Sequence, residues 1–436
     1  MDCGLFQGGR DLQQRNWQNP PFDPGKLNAV ILTPTHLDHA GSLPRLTMQG
    51  FRGPIYCSRG TAALLQIVLL DGARLQREEA NYRNQHGLTH HKPALPLYTE
   101  QDATNALNLL VPVADELVDV TPEVRFRFYN AGHILGSRFA LVEIESAGQG
   151  TNVLFSGDIG RFGHPLLRDP AKPVACDTLL VESTYGDRLH DALNTKEALA
   201  RVINQSVERR GPLLVPAFAV ARTQELIYQI RELEDEGRIP ILPVYVDSPM
   251  AAAITRVYDC LSDEYDEDYK KLLYARQQPL STRSMTITSS REESKEINNA
   301  GGSRIIITAS GMMTGGRVLH HAQRILPDKN ATILFAGFQA AGTTGHYLLN
   351  GEPEVKIFKR WVPVRCRVER IEGFSAHADW SEILKWLEAM PAAPRQVFVT
   401  HGEPAAAAAL QTRISRCFKW KVDVPQYGDK VELLPC

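Results

Sequence analysis

Thr35-His36-Leu37-Asp38-His39 places two imidazoles and a carboxylate within four residues, directly after the apolar run Val30-Ile31-Leu32. Neutral imidazole and carboxylate together suit a divalent cation of borderline softness, zinc above all. Three further apolar runs end on residues of the same kind. Phe126-Arg127-Phe128-Tyr129-Asn130 leads to Gly132-His133, Val153-Leu154-Phe155-Ser156-Gly157 to Asp158, and Val397-Phe398-Val399-Thr400 to His401. Each alone reads as a polar loop residue with local partners. Their joint occurrence points to a metal constellation, in which Asp158 has two oxygens to share between two ions.

The elements that would position these side chains are short β-branched runs, most of them followed by a turn and then by helical periodicity, which predicts layered α/β architecture. Ala29-Val30-Ile31-Leu32, Leu179-Leu180-Val181, Leu213-Leu214-Val215, Ile305-Ile306-Ile307 and Ile333-Leu334-Phe335 are further examples. Ligands gather at the strand ends of one sheet edge in such proteins, so the repeated polar ending is itself a signal. Pro212 to Ala252, with a helix predicted from about Ala221 to Gly237, and Gly302 to Leu349 form a second α/β unit, separated by a charged, strand-poor stretch from Asp263 to Lys295. The expected organisation is a first domain over 1–187, an inserted domain over 188–370 and a return segment over 371–436.

Bulk properties narrow the classes. The chain has 436 residues, 43% hydrophobic and 22% charged, enough to bury more than one core, and no period that suggests a solenoid. A formal charge of -2 supplies no global basic field, so any nucleic-acid contact must come from a local patch. Seven cysteines without a CxxC pair argue against a disulfide framework or a thiolate zinc site and fit a reducing cytoplasm. No apolar run approaches a membrane span and no signal-peptide pattern opens the chain, so a soluble cytoplasmic protein is expected.

On these residues the chain resembles the metallo-β-lactamase superfamily and, within it, the β-CASP nucleases that process or degrade RNA, of the bacterial type similar to the nuclease subunit of the cleavage and polyadenylation factor. Asp2-Cys3-Gly4 matches the first motif, Thr35 to His39 the second, His133 the third and Asp158 the fourth. Glu182 in Val181-Glu182-Ser183-Thr184-Tyr185-Gly186 matches motif A, His377 in Gly373-Phe374-Ser375-Ala376-His377-Ala378-Asp379 motif B, and His401 in Thr400-His401-Gly402-Glu403 motif C. The resemblance implies an αββα sandwich with an inserted α/β β-CASP domain and two zinc sites, with manganese as the alternative metal. His36 and His133 would hold one ion, Asp38, His39 and His401 the other, and Asp158 would lie between them. Asp2 would orient a ligand from behind. Asp38, His377 and Glu182 would carry catalysis, with the carboxylate keeping a proton on His377 for the departing ribose oxygen. The implied partner is RNA, taken single-stranded, with a homodimer as the candidate assembly.

Two features depart from the family pattern. Its second motif begins with a further histidine two positions before His36, where this chain has Pro34. The first ion then loses one protein ligand, which favours impaired activity, and a catalytically weak or inactive RNA-binding scaffold becomes the alternative reading. The family also carries a strand pair upstream of Asp2, on the order of 15 residues, so a misassigned or truncated start is expected, with one sheet edge uncovered. A small-molecule hydrolase of the superfamily is opposed by the long insertion between Glu182 and His377, and a DNA-directed relative by the histidine at motif C.

Thr308-Ala309-Ser310-Gly311-Met312-Met313-Thr314-Gly315-Gly316-Arg317 follows a strand and opens a helix, where glycines and helix amides can cradle phosphate. Ser310, Arg222 and Arg317 are the expected substrate contacts. Lys356, Lys359, Arg360, Arg365, Arg367 and Arg370, with Phe358 and Trp361, form a basic segment carrying aromatics that could track a nucleic-acid strand or be a solvated surface. His86, His90, His91, His320 and His321 read as structural or exposed positions, since adjacent side chains on a helix diverge.

Overall fold

The computed structural model describes the chain except residues 8–9, 89–91, 147, 191–193, 262–263, 276, 338 and 434–436. His90 and His91 therefore lie outside the described residues. Two compact units emerge, Met1–Leu189 with His377–Cys436, and His190–Ala376. The first stretch carries β1 (Val30–Ile31), β2 (Ile55–Cys57), β3 (Leu110–Pro112), β4 (Leu117–Thr121), β5 (Val124–Asn130), β6 (Arg138–Ser146), β7 (Gln149–Phe155) and β8 (Thr178–Glu182). The second unit carries β9 (Leu213–Pro216), β10 (Val244–Val246), β11 (Met285–Ile287), β12 (Ile305–Thr308), β13 (Thr332–Phe335), β14 (Glu354–Ile357), β15 (Arg360–Pro363) and β16 (Arg367–Arg370). The return segment adds β17 (Gln396–Thr400) and β18 (Val422–Asp423) to the first unit.

In the first unit a seven-stranded sheet runs β18-β17-β8-β7-β6-β5-β4 and a three-stranded parallel sheet runs β1-β2-β3. Strand alternation decides what each face meets. Phe139 and Leu141 of β6 join Leu154, Leu179 and Val397 under Trp386 and Leu410, which come from helices Trp380–Glu388 and Pro404–Phe418. Ala140 and Val142, one residue out of phase, pack with Phe126, Phe128 and Ile31 towards the smaller sheet. The outer face of that sheet is covered by helices Arg59–His86 and Glu100–Leu107, through Leu65, Leu69, Ala103 and Ala106. The layers are helix, sheet, sheet, helix, the αββα sandwich expected.

β5 pairs antiparallel with β6, β6 antiparallel with β7, and β7, β8 and β17 are mutually parallel. The carboxyl ends of β5, β7, β8 and β17 therefore open on one edge of one sheet. The chain's first residues are tied to β1 and the short helix after it, because Asp2 N–H donates to Ile31 O at 3.0 Å and Cys3 N–H to His39 O at 2.6 Å.

The second unit is built on a parallel sheet ordered β11-β10-β12-β9-β13-β16. β9, β12 and β13 are buried at every position, which is why they read as continuous apolar runs instead of alternating ones. The helix predicted from Ala221 to Gly237 forms as Arg222–Asp235. The stretch from Asp263 to Lys295 does hold one strand, β11, which lengthens the sheet at its edge beside β10. β14 and β15 form an antiparallel hairpin apart from the sheet. Among the described residues no helix is long and apolar enough to cross a membrane.

Candidate metal centre

The ends of β5, β7 and β17 each deliver one group and the loop after β1 delivers three, and at two of these ends a glycine shapes the backbone. Gly157 (φ +52) precedes Asp158, and a Cβ there would lie 2.8 Å from the Thr33 side chain. Gly132 (φ +66) precedes His133, and its Cβ would meet Pro170 at 2.8 Å. Only glycine adopts that turn at such close approach without strain. His36 caps a short helix, Leu37–Ala40, that presents Asp38 and His39 beside it.

The six groups fall into two sets around one carboxylate. Asp158 is 1% exposed. Its Oδ2 lies 3.4 Å from His36 Nδ1 and 3.4 Å from His133 Nε2. Its Oδ1 lies 3.0 Å from His39 Nε2 and 3.4 Å from His401 Nε2. Asp38 Oδ2 completes the second set, 3.5 Å from His401 Nε2. Within each set two imidazole nitrogens face each other, His36 Nδ1 to His133 Nε2 at 3.3 Å and His39 Nε2 to His401 Nε2 at 3.2 Å. One proton at most can bridge such a pair, so the remaining lone pairs converge on a buried anion. That is the donor set of a divalent-cation site, and the residues present fit one.

Electrostatics follow from this crowding. Burial alone would raise the Asp158 carboxyl, but the charges of His39, His401 and His377 outweigh it and hold the group well below the ordinary carboxylate range. Burial opposes a charged His39, yet Asp158 and Asp2 override it and push that imidazole well above its usual value. Asp2 stands behind His39. Its Oδ2 lies 2.8 Å from His39 Nδ1 and accepts from Thr33 Oγ1 at 2.7 Å, and its Oδ1 accepts from Thr33 N–H at 2.8 Å.

Glu182, 1% exposed, sits at the end of β8 with Oε2 3.1 Å and Oε1 3.3 Å from His377 Nδ1. Ile159 N–H donates to Glu182 Oε1 at 2.6 Å and fixes the carboxylate's orientation. The His377 ring lies 4.3 Å from that of His133, centroid to centroid. Burial works against its protonation, but Glu182 and Asp158 raise it to about 9. The pair thus favours the protonated imidazole beside His133 and Asp158.

Pro34 is buried, and neither neighbouring hydroxyl takes the place of the missing imidazole. Thr33 Oγ1 is committed to Asp2, and Thr35 Oγ1 points to Thr61 O at 3.4 Å. The set around His36 holds three donor residues, His36, His133 and Asp158.

Ser310, Arg222 and Arg317 are gathered in the second unit, at the carboxyl edge of its parallel sheet. They meet other side chains there. Arg222 is 7% exposed with Nη1 3.0 Å from Glu225 Oε2. Arg317 donates from Nη1 to Asp247 Oδ1 at 2.6 Å and from Nη2 to Ser289 O at 2.9 Å. Ser310 Oγ lies 3.0 Å from Thr314 Oγ1. Asp247, which the sequence reading passed over, organises this edge. Its buried carboxylate accepts from the Thr288 and Ser294 hydroxyls and Arg317, and lies 2.7 Å from His321 Nε2. The signal that could have found it is the one used elsewhere, a carboxylate directly after an apolar run, here Val244-Tyr245-Val246.

Residues 223–348 match the β-CASP domain family, and residues 361–425 match the family described as a Zn-dependent metallo-hydrolase RNA specificity domain. The chain is 33% identical over 411 residues to Ribonuclease TTHA0252 of Thermus thermophilus, which covers 94% of this chain and 89% of that protein. It is 30% identical over 448 residues to the transcription termination factor FttA of Methanocaldococcus jannaschii, covering 99% of this chain and 67% of that one. With the FttA of Pyrococcus abyssi the identity is 32% over 426 residues, and the chain spans 62% of that relative's length. A layered αββα unit whose strand ends converge on a histidine and aspartate cluster, interrupted by a β-CASP unit, leaves one family: the chain belongs to the β-CASP RNA nucleases of the metallo-β-lactamase superfamily.

Proposed function

We propose that the protein hydrolyses phosphodiester bonds of single-stranded RNA at a site for two divalent cations, zinc by ligand type. The observation that carries this reading is Asp158, whose two buried oxygens each face a separate pair of imidazoles. His36 and His133 would hold one cation, Asp38, His39 and His401 the other, with Asp158 between. Bound there, the ions supply Lewis acidity towards the phosphoryl oxygens and make water a stronger nucleophile at neutral pH.

The chain's own residues divide the remaining work. Asp2 fixes the tautomer and direction of His39 through its 2.8 Å contact. His377, kept protonated by Glu182, donates to the oxygen that leaves phosphorus. The unit His190–Ala376 is the substrate-facing domain in this reading, with Ser310, Arg222 and Arg317 at its sheet edge. Because Arg222 and Arg317 are already paired, they act on the strand chiefly by holding that edge in shape.

Pro34 makes the two cation sites unequal. With Thr33 and Thr35 both engaged elsewhere, the His36 set has no fourth protein donor among the described residues, and an ion there would bind more weakly. This asymmetry supports a second reading, an RNA-binding protein with little turnover. Elemental analysis of protein purified without added metal, together with cleavage of labelled RNA and DNA strands of one sequence, tests both. The nuclease reading expects zinc between one and two per chain and cleavage of RNA in preference to DNA. Preferential DNA cleavage sinks the substrate assignment. An inactive parent alongside an active Pro34→His variant with two bound metals establishes the second reading.

A further inference from the structure

The β14–β15 hairpin in the second unit is built unlike the rest of the surface. Its buried residues Val355, Ile357 and Val362 fasten it to the core of that unit. On the other face Lys356 stands directly opposite Trp361, and Trp361 is 62% exposed. Phe358 at the tip is 49% exposed and lies against the exposed His320 ring at 4.6 Å.

Charge on the hairpin is unbalanced. Among the described residues no carboxylate pairs with Lys356, Lys359 or Arg360, whereas Arg367 and Arg370 just beyond it pair with Glu369 and Glu372. The turn itself departs from hairpin chemistry. Two-residue turns with both central residues at positive φ favour Asn-Gly or Asp-Gly, yet here they are Phe358 (φ 47) and Lys359 (φ 65). Strained backbone of this kind persists where the side chains it presents are used. An exposed aromatic pair interleaved with unpaired cations matches a single strand of nucleic acid, whose unstacked bases lie on rings while its phosphates meet lysine and arginine.

We propose that this hairpin is a docking platform for single-stranded RNA, with bases stacking on Trp361 and Phe358 and phosphates on Lys356, Lys359 and Arg360. The proposal rests on the RNA reading of the metal centre and adds a holding site carried by the second unit. It gives the exposed indole a partner and the three cations a counter-charge, which a solvated surface would not require.

The test is binding of a fluorescein-labelled oligouridylate to the full chain, by anisotropy in EDTA so that no strand is cut, across a salt series. Trp361→Ala is expected to weaken binding about tenfold, the size of one lost base–aromatic stack, and Trp361→Phe to restore most of it. Replacing Lys356, Lys359 and Arg360 together by Gln is expected to lower the slope of log K against log salt by about 2, near 0.7 for each cation on a single strand. All side chains changed are exposed, and matching circular dichroism melts verify folding. Parent-like affinity and salt slope in both variants overturn the platform while leaving the nuclease reading intact. A parent that neither binds nor cleaves RNA overturns that reading and the platform with it. Variants that bind RNA normally but lose self-association in sedimentation assign the hairpin to protein contact and equally overturn the proposal.

Discussion

Replacing Asp2 by Asn removes one charge and little volume, and its effect on metal binding can be worked from three contacts. Asp2 Oδ2 contacts His39 Nδ1 at 2.8 Å while two bonds from Thr33 hold the carboxylate still. Burial would raise the Asp2 carboxyl, but His39 and the Thr33 bonds offset this and hold it below the ordinary range, so it is an anion at neutral pH. An anion on Nδ1 keeps the proton there and makes Nε2, the nitrogen facing Asp158 and His401, the more basic donor. Partners of this kind are worth about 10–100-fold in metal affinity, or about 1.4–2.7 kcal/mol. Asp2→Asn is therefore expected to raise the zinc Kd of the Asp38, His39 and His401 site by about tenfold, and Asp2→Ala by nearer a hundredfold, because Ala also frees the ring to rotate. Competition against a chromophoric chelator reads this directly, and site occupancy can be followed with cobalt as a spectroscopic substitute. Zinc affinity within threefold of the parent in both variants would show that Asp2 supports the loop alone and not the ligand.

Glu182→Gln should lower the His377 imidazole from about 9, and the consequence has a definite sign. A histidine raised above its unfolded value stabilises the folded chain fully below about pH 6.5 and loses that contribution as pH rises through about 9. In metal-stripped protein the stability gap between parent and Glu182→Gln is thus expected to be widest near pH 6 and to close only above about pH 9, measured by urea titration at each pH. Asp247→Asn leaves Arg317 and His321 facing a neutral amide in a buried site and is expected to cost about 3–5 kcal/mol, read by hydrogen exchange of β10 and β12 amides. Burial would raise the Asp247 carboxyl, but His321, Ser294, Thr288 and Arg317 depress it, so its contribution is present above about pH 4 and is lost as pH falls through the lower folded value. Lys359→Gly relieves a left-handed residue in the hairpin turn and should stabilise the second unit by about 1 kcal/mol in urea while weakening RNA binding.

The cluster of His36, Asp38, His39, His133, Asp158 and His401 was legible because its signal is local. Its residues lie within a few positions of the ends of apolar runs, and the direction of the strands sets which edge those ends share. The parallel core of the second unit was legible for the opposite reason, since β9, β12 and β13 are buried throughout and apolar but for Thr308 and Thr332. What the sequence concealed depends on distant partners. Asp247 meets Arg317 across 70 positions and His321 across 74, and no local pattern marks such a bond. Arg222 and Arg317 could be read as cations but not as cations already paired. The β14–β15 hairpin stayed hidden because its turn carries Phe358-Lys359 in place of the glycine or asparagine that announces such turns.

The span of the ligand set has a consequence for how the protein comes into being. His39 and His401 face each other across 362 positions, with the whole second unit made between them. Under the proposed assignment, a chain still being synthesised holds the His36 and His133 donors and Asp158 long before His401 is added. That early set is the one deprived of a ligand by Pro34, so it is a poor trap for stray metal in an unfinished chain. The Asp38, His39 and His401 set would close only when the return segment docks β17 beside β8, after the whole second unit has been made.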